Sequence, residues 1–193
     1  AVMAQDPSNI LVAGNLRIST APLGTTLPTA LPTDPSTLNL NAAFKDLGYT
    51  SPDGSKFTTT RTTEGIQVHQ ERGNVRTLVT DELAQATFNL REWNRETVTT
   101  SFGGGTITSP ASGVWKYEPP APEDINEFSA VLDLFDGDQI WRFVLRRAMV
   151  SNSPESNFIR TGSADLPITL DCLVAGGGVR NWYALTNWVG MSA

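Results

Sequence analysis

Beyond residue 56 the chain alternates apolar and polar residues with a period of two, the spacing that sends successive side chains to opposite faces of a strand. Gly65 to His69 sets Ile66 and Val68 against Gln67 and His69, and Leu83 to Arg91 sets Ala84, Ala86, Phe88 and Leu90 against Gln85, Thr87, Asn89 and Arg91. Both patterns predict half-buried antiparallel strands, with His69 on the polar side of the first. Phe128 to Phe135 and Gln139 to Met149 flank Asp136-Gly137, a dipeptide suited to the positive φ of a tight hairpin. Leu166, Ile168, Leu170, Cys172 and Val174 share one face of another strand, opposite Thr169 and Asp171, and Arg180 to Thr186 predicts a last one.

The first 56 residues read differently. Pro22, Gly24, Pro28, Pro32, Pro35, Gly48, Pro52 and Gly54 cut them into pieces too short for regular helices, leaving one strand at Asn15 to Thr20. A single short helix is predicted between Glu92 and Phe102. There Asn94 can cap, Trp93, Val98 and Phe102 fall near one face, and Gly103 to Gly105 supply a stop. Many strands and one short helix predict a mainly β fold: an antiparallel β-sandwich or partial barrel with one flanking α-helix, formed by a single domain over residues 1–193.

Phe57 to Val79 is unusually polar for a chain that otherwise makes compact strands. Its run of threonines fits either a hairpin arm whose edge pairs with a neighbouring subunit or a surface loop. Thr58, Thr60, Arg61, Thr62, Glu64, His69, Glu71, Arg72 and Arg76 are its candidate contact residues.

Charge and cysteine content narrow the function. With 14 Lys plus Arg against 20 Asp plus Glu, the net charge of −6 has the wrong sign for a protein that grips nucleic-acid phosphates. One Cys and one His cannot supply a zinc site of the usual kind or an intramolecular disulfide. No run approaches the roughly 18 consecutive apolar residues of a membrane helix. Residues Ala1 to Leu16 lack a basic region leading into an apolar one, so a protein made in the cytoplasm with no signal peptide is expected.

Catalytic chemistry finds little support. His69 lies beside Gln70 and Glu71 as a solvated or interface residue would, and Cys172 shares its apolar face with Leu170 and Val174 as a small buried hydrophobe would. Gly103-Gly104-Gly105-Thr106 lacks the Lys-Ser/Thr of a phosphate loop, and Gly176-Gly177-Gly178-Val179-Arg180-Asn181 lacks the third glycine of a dinucleotide fingerprint. No cofactor or metal, and no catalytic residue, is expected. Between Lys116 and Arg142, however, Glu118, Glu123, Asp124, Glu127, Asp133, Asp136 and Asp138 form a block without a single Lys or Arg. It reads either as a solvated loop and hairpin tip or as an electronegative surface that repels a polyanion.

The order of segments then carries a resemblance. Ala21-Pro22-Leu23-Gly24-Thr25, Pro32-Thr33-Asp34-Pro35 and Phe44-Lys45-Asp46-Leu47-Gly48-Tyr49-Thr50-Ser51-Pro52-Asp53-Gly54 precede the polar arm. Val75-Arg76-Thr77 and Phe88-Asn89-Leu90-Arg91-Glu92-Trp93-Asn94-Arg95-Glu96-Thr97 follow. As an ordered set, from Ala21 to about Gly105, these resemble the major tail tube proteins of long-tailed, siphovirus-type phages of actinobacteria.

The resemblance implies a virion structural protein, assembled in the host cytoplasm, whose hexameric rings stack into a noncontractile tail tube. It implies an electronegative lumen that holds the tape-measure protein and later passes genomic DNA without sequence-specific binding. Tail terminator and distal tail or initiator proteins would be partners, and no membrane. The arm then becomes an inter-ring contact, and Gln85, Thr87, Asn89, Glu123, Asp124, Asp133, Asp136 and Asp138 become lumen candidates.

Two other readings compete. A monomeric β-sandwich binding module, for carbohydrate or a receptor, would display Trp115, Tyr117, Trp182, Tyr183 and Trp188 as exposed stacking surfaces. A hydrolase would need two of the 20 acids to converge in space.

Overall fold

The computed structural model describes residues 7–53, 55–152, 155–156, 158 and 160–191. Ala1 to Asp6 of the N-terminal reading, and Gly54 of the Phe44 to Gly54 motif, lie outside them. Among the described residues ten strands and one α-helix follow in the order β1 (Asn15–Pro22), β2 (Lys45–Asp46), β3 (Lys56–Val68), β4 (Glu71–Leu90), α1 (Arg95–Ser101), β5 (Thr106–Ala111), β6 (Val114–Glu118), β7 (Glu127–Asp136), β8 (Gln139–Val150), β9 (Leu166–Cys172) and β10 (Trp182–Thr186). Eight strands make one antiparallel sheet in the order β2-β1-β7-β8-β9-β4-β3, with β10 also paired to β8, and β5 and β6 form a separate hairpin.

The long sheet curls because its two ends are tied by one short segment. Residues 45–51 pair with β1 through Ser19 and Asp46 and through Leu47 N to Ile18 O, then reach the far strand through Ser51 N to Asn89 O and Arg91 N to Tyr49 O. Inside the curl the alternating residues of β4, Ala84, Ala86, Phe88 and Leu90, meet Leu166, Ile168, Leu170 and Cys172 of β9 and Ile18, Leu132 and Leu145 across the core. Burying each large aliphatic or aromatic side chain is worth about 1.5–3 kcal/mol, so this one face carries most of the apolar stabilisation. The fold is thus the predicted antiparallel partial barrel with a flanking helix.

The proline-rich segment between β1 and β2 covers the opposite face of β1, β7, β8 and β10. Leu27, Leu40, Ala43 and Phe44 pack there against Ala21, Val131, Val144 and Tyr183. Two polar anchors hold this irregular stretch in place. The Tyr183 hydroxyl donates to the Pro28 carbonyl at 2.6 Å, and the Arg142 guanidinium donates to the Ala30 and Leu38 carbonyls at 2.7 and 2.6 Å.

Strand directions give the molecule two distinct ends. Pro22, Leu90, Glu127, Val150 and Leu166 all stop at the end capped by α1, whereas the β7–β8 turn and the β3–β4 hairpin leave from the other. Strand β9 ends at Cys172, so Val174 does not extend its buried face and is exposed.

Candidate assembly surfaces

Strands β3 and β4 outrun the sheet. β4 pairs with β9 only from Gln85 to Leu90, while its residues Glu71 to Ala84 have β3 as their sole ladder partner. The result is a two-stranded arm projecting ~45 Å at about 3.3 Å per residue, closed by a turn at His69 and Gln70. β-Branched threonines suit such a ribbon because the ladder, not a core, orders it. Register shifts between Thr62 and Thr63 and near Gln67 add twist toward the tip.

On the arm, Thr58, Thr60, Thr62 and Glu64 alternate along one face, opposite Gln85, Leu83, Asp81 and Leu78. Arg61 faces Glu82, whose carboxylate also takes the Arg180 guanidinium at 2.9 Å, a brace at the arm's base. Arg76 stands opposite Ile66, and Glu71 opposite Val68. Glu71 and Arg72 lie next to the turn, and His69 is within it rather than on a strand face. Ile66 and Val68 are exposed, not half-buried, because no second layer packs on the ribbon. With Val75, Leu78 and Val79 they leave apolar side chains open to solvent on both faces of the arm, the kind of exposure that marks an interaction site.

The lumen candidates of β4 do gather. Gln85 donates to Asp171 at 2.7 Å, the Thr87 and Thr169 hydroxyls share a hydrogen bond at 3.3 Å, and Asn89 lies two residues further along the same half-buried face. Lys56 and Thr58 of β3 stand opposite Thr87 and Gln85, so this polar face runs unbroken onto the arm.

The acidic block does not form one surface. Asp133 is not a surface charge at all: it is 1% exposed and bonded to Arg142, itself fully buried, through Nε at 2.6 Å and Nη2 at 2.8 Å. Burial pushes the Asp133 carboxyl up, against the pull of Arg142. Glu118 pairs with Lys116, and Glu127 with Arg147, whose hydrogen bonds hold the Glu127 carboxyl below its usual range. Glu123 and Asp124 occupy the exposed loop after β6, at the α1 end. Asp136 and Asp138 flank the β7–β8 turn at the other end, where Asp136 accepts from the Val12 amide at 2.8 Å.

Helix α1 begins with reciprocal capping bonds: the Asn94 side chain accepts from Thr97 N, and the Thr97 hydroxyl accepts from Asn94 N, both at 2.9 Å. Its buried face is Thr97, Thr100 and Ser101, not the expected Trp93, Val98 and Phe102. Trp93 and Val98 instead line an apolar groove with Ile107, Trp115 and Tyr117 of the β5–β6 hairpin. That hairpin escaped the sequence reading, although Thr106-Ile107-Thr108 and Val114-Trp115-Lys116-Tyr117 alternate around Ser112-Gly113.

Of the aromatics that a binding module would display, Trp182 packs on Phe57 and Phe143, Tyr183 lies under the Arg146 guanidinium at 4.6 Å, and Trp188 is buried, which leaves Trp115 as the one of these with a broad free face; Tyr49 and Phe158 are exposed elsewhere. Among the described residues no three His, Cys, Asp or Glu side chains gather as a metal site requires, and no helix is long and apolar enough to cross a membrane.

No curated protein matches the chain. A family profile described as phage tail tube protein matches residues 3–191, nearly the full length and every element described above. A curled antiparallel sheet with a projecting arm is the architecture on which that match falls, and the chain belongs to the phage tail tube protein family, structural proteins of the virion tail.

Proposed function

We propose that copies of this chain close into hexameric rings that stack as the noncontractile tail tube of a siphovirus-type phage of an actinobacterial host. The arm reaches the adjacent ring through Thr58, Thr60, Arg61, Thr62, Glu64, His69, Glu71, Arg72 and Arg76. The face carrying Gln85, Thr87 and Asn89 lines a channel that holds the tape-measure protein and later passes DNA. Tail terminator and initiator proteins bound the tube at its ends.

The observation that carries this reading is the arm. A ribbon exposing Ile66, Val68, Val75, Leu78 and Val79, with a further open edge along β3, leaves apolar area and backbone groups for a partner to cover. A hydroxyl- and amide-rich channel wall on which Lys56 is offset by Asp171 suits DNA transit because it offers no net positive charge to hold phosphates in place.

Electron microscopy with light scattering at rising protein concentration tests it. Arg61 and Glu82 face each other, so replacing Thr62 to Asp81 with Asn-Gly closes the hairpin in register and removes only the arm. The wild type is expected to form hollow tubes, alone or from a seed, and the truncated chain to remain a folded monomer. Tubes from the truncated chain would overturn the arm's role. A wild type that neither polymerises nor extends a seeded tube would overturn the tube itself.

A further inference from the structure

The arm tip and the α1/β5–β6 groove lie at opposite ends of β4. The tip is at Glu71, where the strand starts, and α1 begins just after Leu90, where it ends. A continuously paired ribbon does not fold back over its own body, so the tip of one copy and its own groove are beyond each other's reach.

The two surfaces match in chemistry. The groove offers Trp93, Val98, Ile107, Trp115 and Tyr117, with Trp115 largely uncovered. Arg95 lines both this groove and, across α1, a second depression where Glu96 and Asp124 stand beside Glu123; these three acids outnumber Arg95 and form no salt bridge among the described residues. The tip offers exposed Ile66, Val68 and Val75 together with Arg72 and Arg76, which outnumber Glu71 there and have no acidic partner among the described residues. Apolar meets apolar, and the two arginines meet the acidic margin.

We propose that the arm tip of one copy seats in the α1/β5–β6 groove of the next copy, a head-to-tail contact between opposite ends of the same strand. It rests on the tube reading and gives that reading a direction. A heterologous contact of this kind leaves a free tip at one end and a free groove at the other, so addition continues without closure along the axis. Growth is polar, and the initiator end exposes only one of the two surfaces.

The test uses two full-length variants, Val68→Asp in the tip and Trp115→Asp in the groove, both at exposed positions, each checked for an unchanged circular dichroism spectrum and melting temperature. Each alone is expected to raise the concentration needed for polymerisation by about tenfold or more, with Trp115→Phe close to wild type. Mixed together they are expected to form finite complexes in sedimentation, since one variant retains the groove and the other the tip. A Trp115→Asp chain that polymerises like the wild type overturns the contact and leaves the tube reading standing. If the wild type makes no tube, that reading falls separately. The contact then survives only if weak wild-type self-association is lost in both variants and restored in their mixture, and fails if it is not.

Discussion

Asp133 and Arg142 face each other across the β7–β8 hairpin, and the guanidinium that meets the Asp133 carboxylate at both oxygens also donates to the Ala30 and Leu38 carbonyls. One buried cation thus ties the irregular 22-residue covering segment from Leu23 to Phe44 to the sheet beneath it. Removing one partner of a buried pair leaves an uncompensated charge, at about 3–5 kcal/mol. Arg142→Met is therefore expected to lower stability by that order in denaturant titration. The double variant Asp133→Leu with Arg142→Met recovers only part of it, because the Ala30 and Leu38 carbonyls stay unpaired. Limited proteolysis of the double variant should cut first between Leu23 and Ala42.

The cap on α1 gives a smaller, local effect. Asn94 and Thr97 satisfy each other's backbone amides, and Thr97 is fully buried where the helix meets the sheet. Asn94→Ala removes one acceptor and is expected to cost about 1 kcal/mol. Thr97→Val keeps the volume but strands the Asn94 amide, at about 1–3 kcal/mol. No loss from either variant would show that the cap contributes little.

These two sites also mark what the sequence could reveal. Asn94 ahead of a short run ended by three glycines is a local signal, and the period-two strands are local too. The Asp133–Arg142 pair was hidden inside an acidic block, yet the hairpin register pairs Asp136 with Gln139 and so brings Asp133 opposite Arg142. Counting back from Asp136-Gly137 would have removed Asp133 from the surface. Alternation at Ile66 and Val68 reported a strand but not whether a second layer covers it, which depends on residues far away in the chain. The groove was illegible for the same reason: it exists only where Trp93, Val98 and the β5–β6 hairpin converge.

Acid should weaken the fold through Glu127 and Asp34. Hydrogen bonds from Arg147 hold Glu127 low, and hydrogen bonds from Ser36 do the same for Asp34. A carboxyl whose folded value lies below its unfolded one contributes stability above the unfolded value, and loses it as pH falls through the folded one. The melting temperature is expected to fall below about pH 4, the ordinary carboxylate range. Glu127→Gln should flatten that fall, and an unchanged slope would refute the assignment.

Cys172 should be silent toward thiol reagents in the folded chain. It is buried in the core beside Leu170 and Ile168, and burial first, then the neighbouring Asp171 charge, pushes its thiol up to about 12. At pH 8 almost no thiolate is present, and the sulfur is covered besides. Maleimide labelling is expected only in denaturant; rapid labelling of the native protein would mean that β9 opens readily.

That silence makes a single introduced cysteine a probe of the Gln85, Thr87 and Asn89 face. Thr87 is half-buried, and Thr87→Cys gives up only its shared hydrogen bond with Thr169, so the fold should persist. Three placements of this face in an assembled tube predict three outcomes. A subunit interface excludes both a small maleimide and one carrying a large polymer. An outer wall admits both. A channel wall admits the small reagent through the open tube ends and refuses the large one, while the unassembled chain reacts with both. The last pattern is the expected one, and labelling of intact tubes by the large reagent would move Gln85, Thr87 and Asn89 out of the channel and leave its lining to another face.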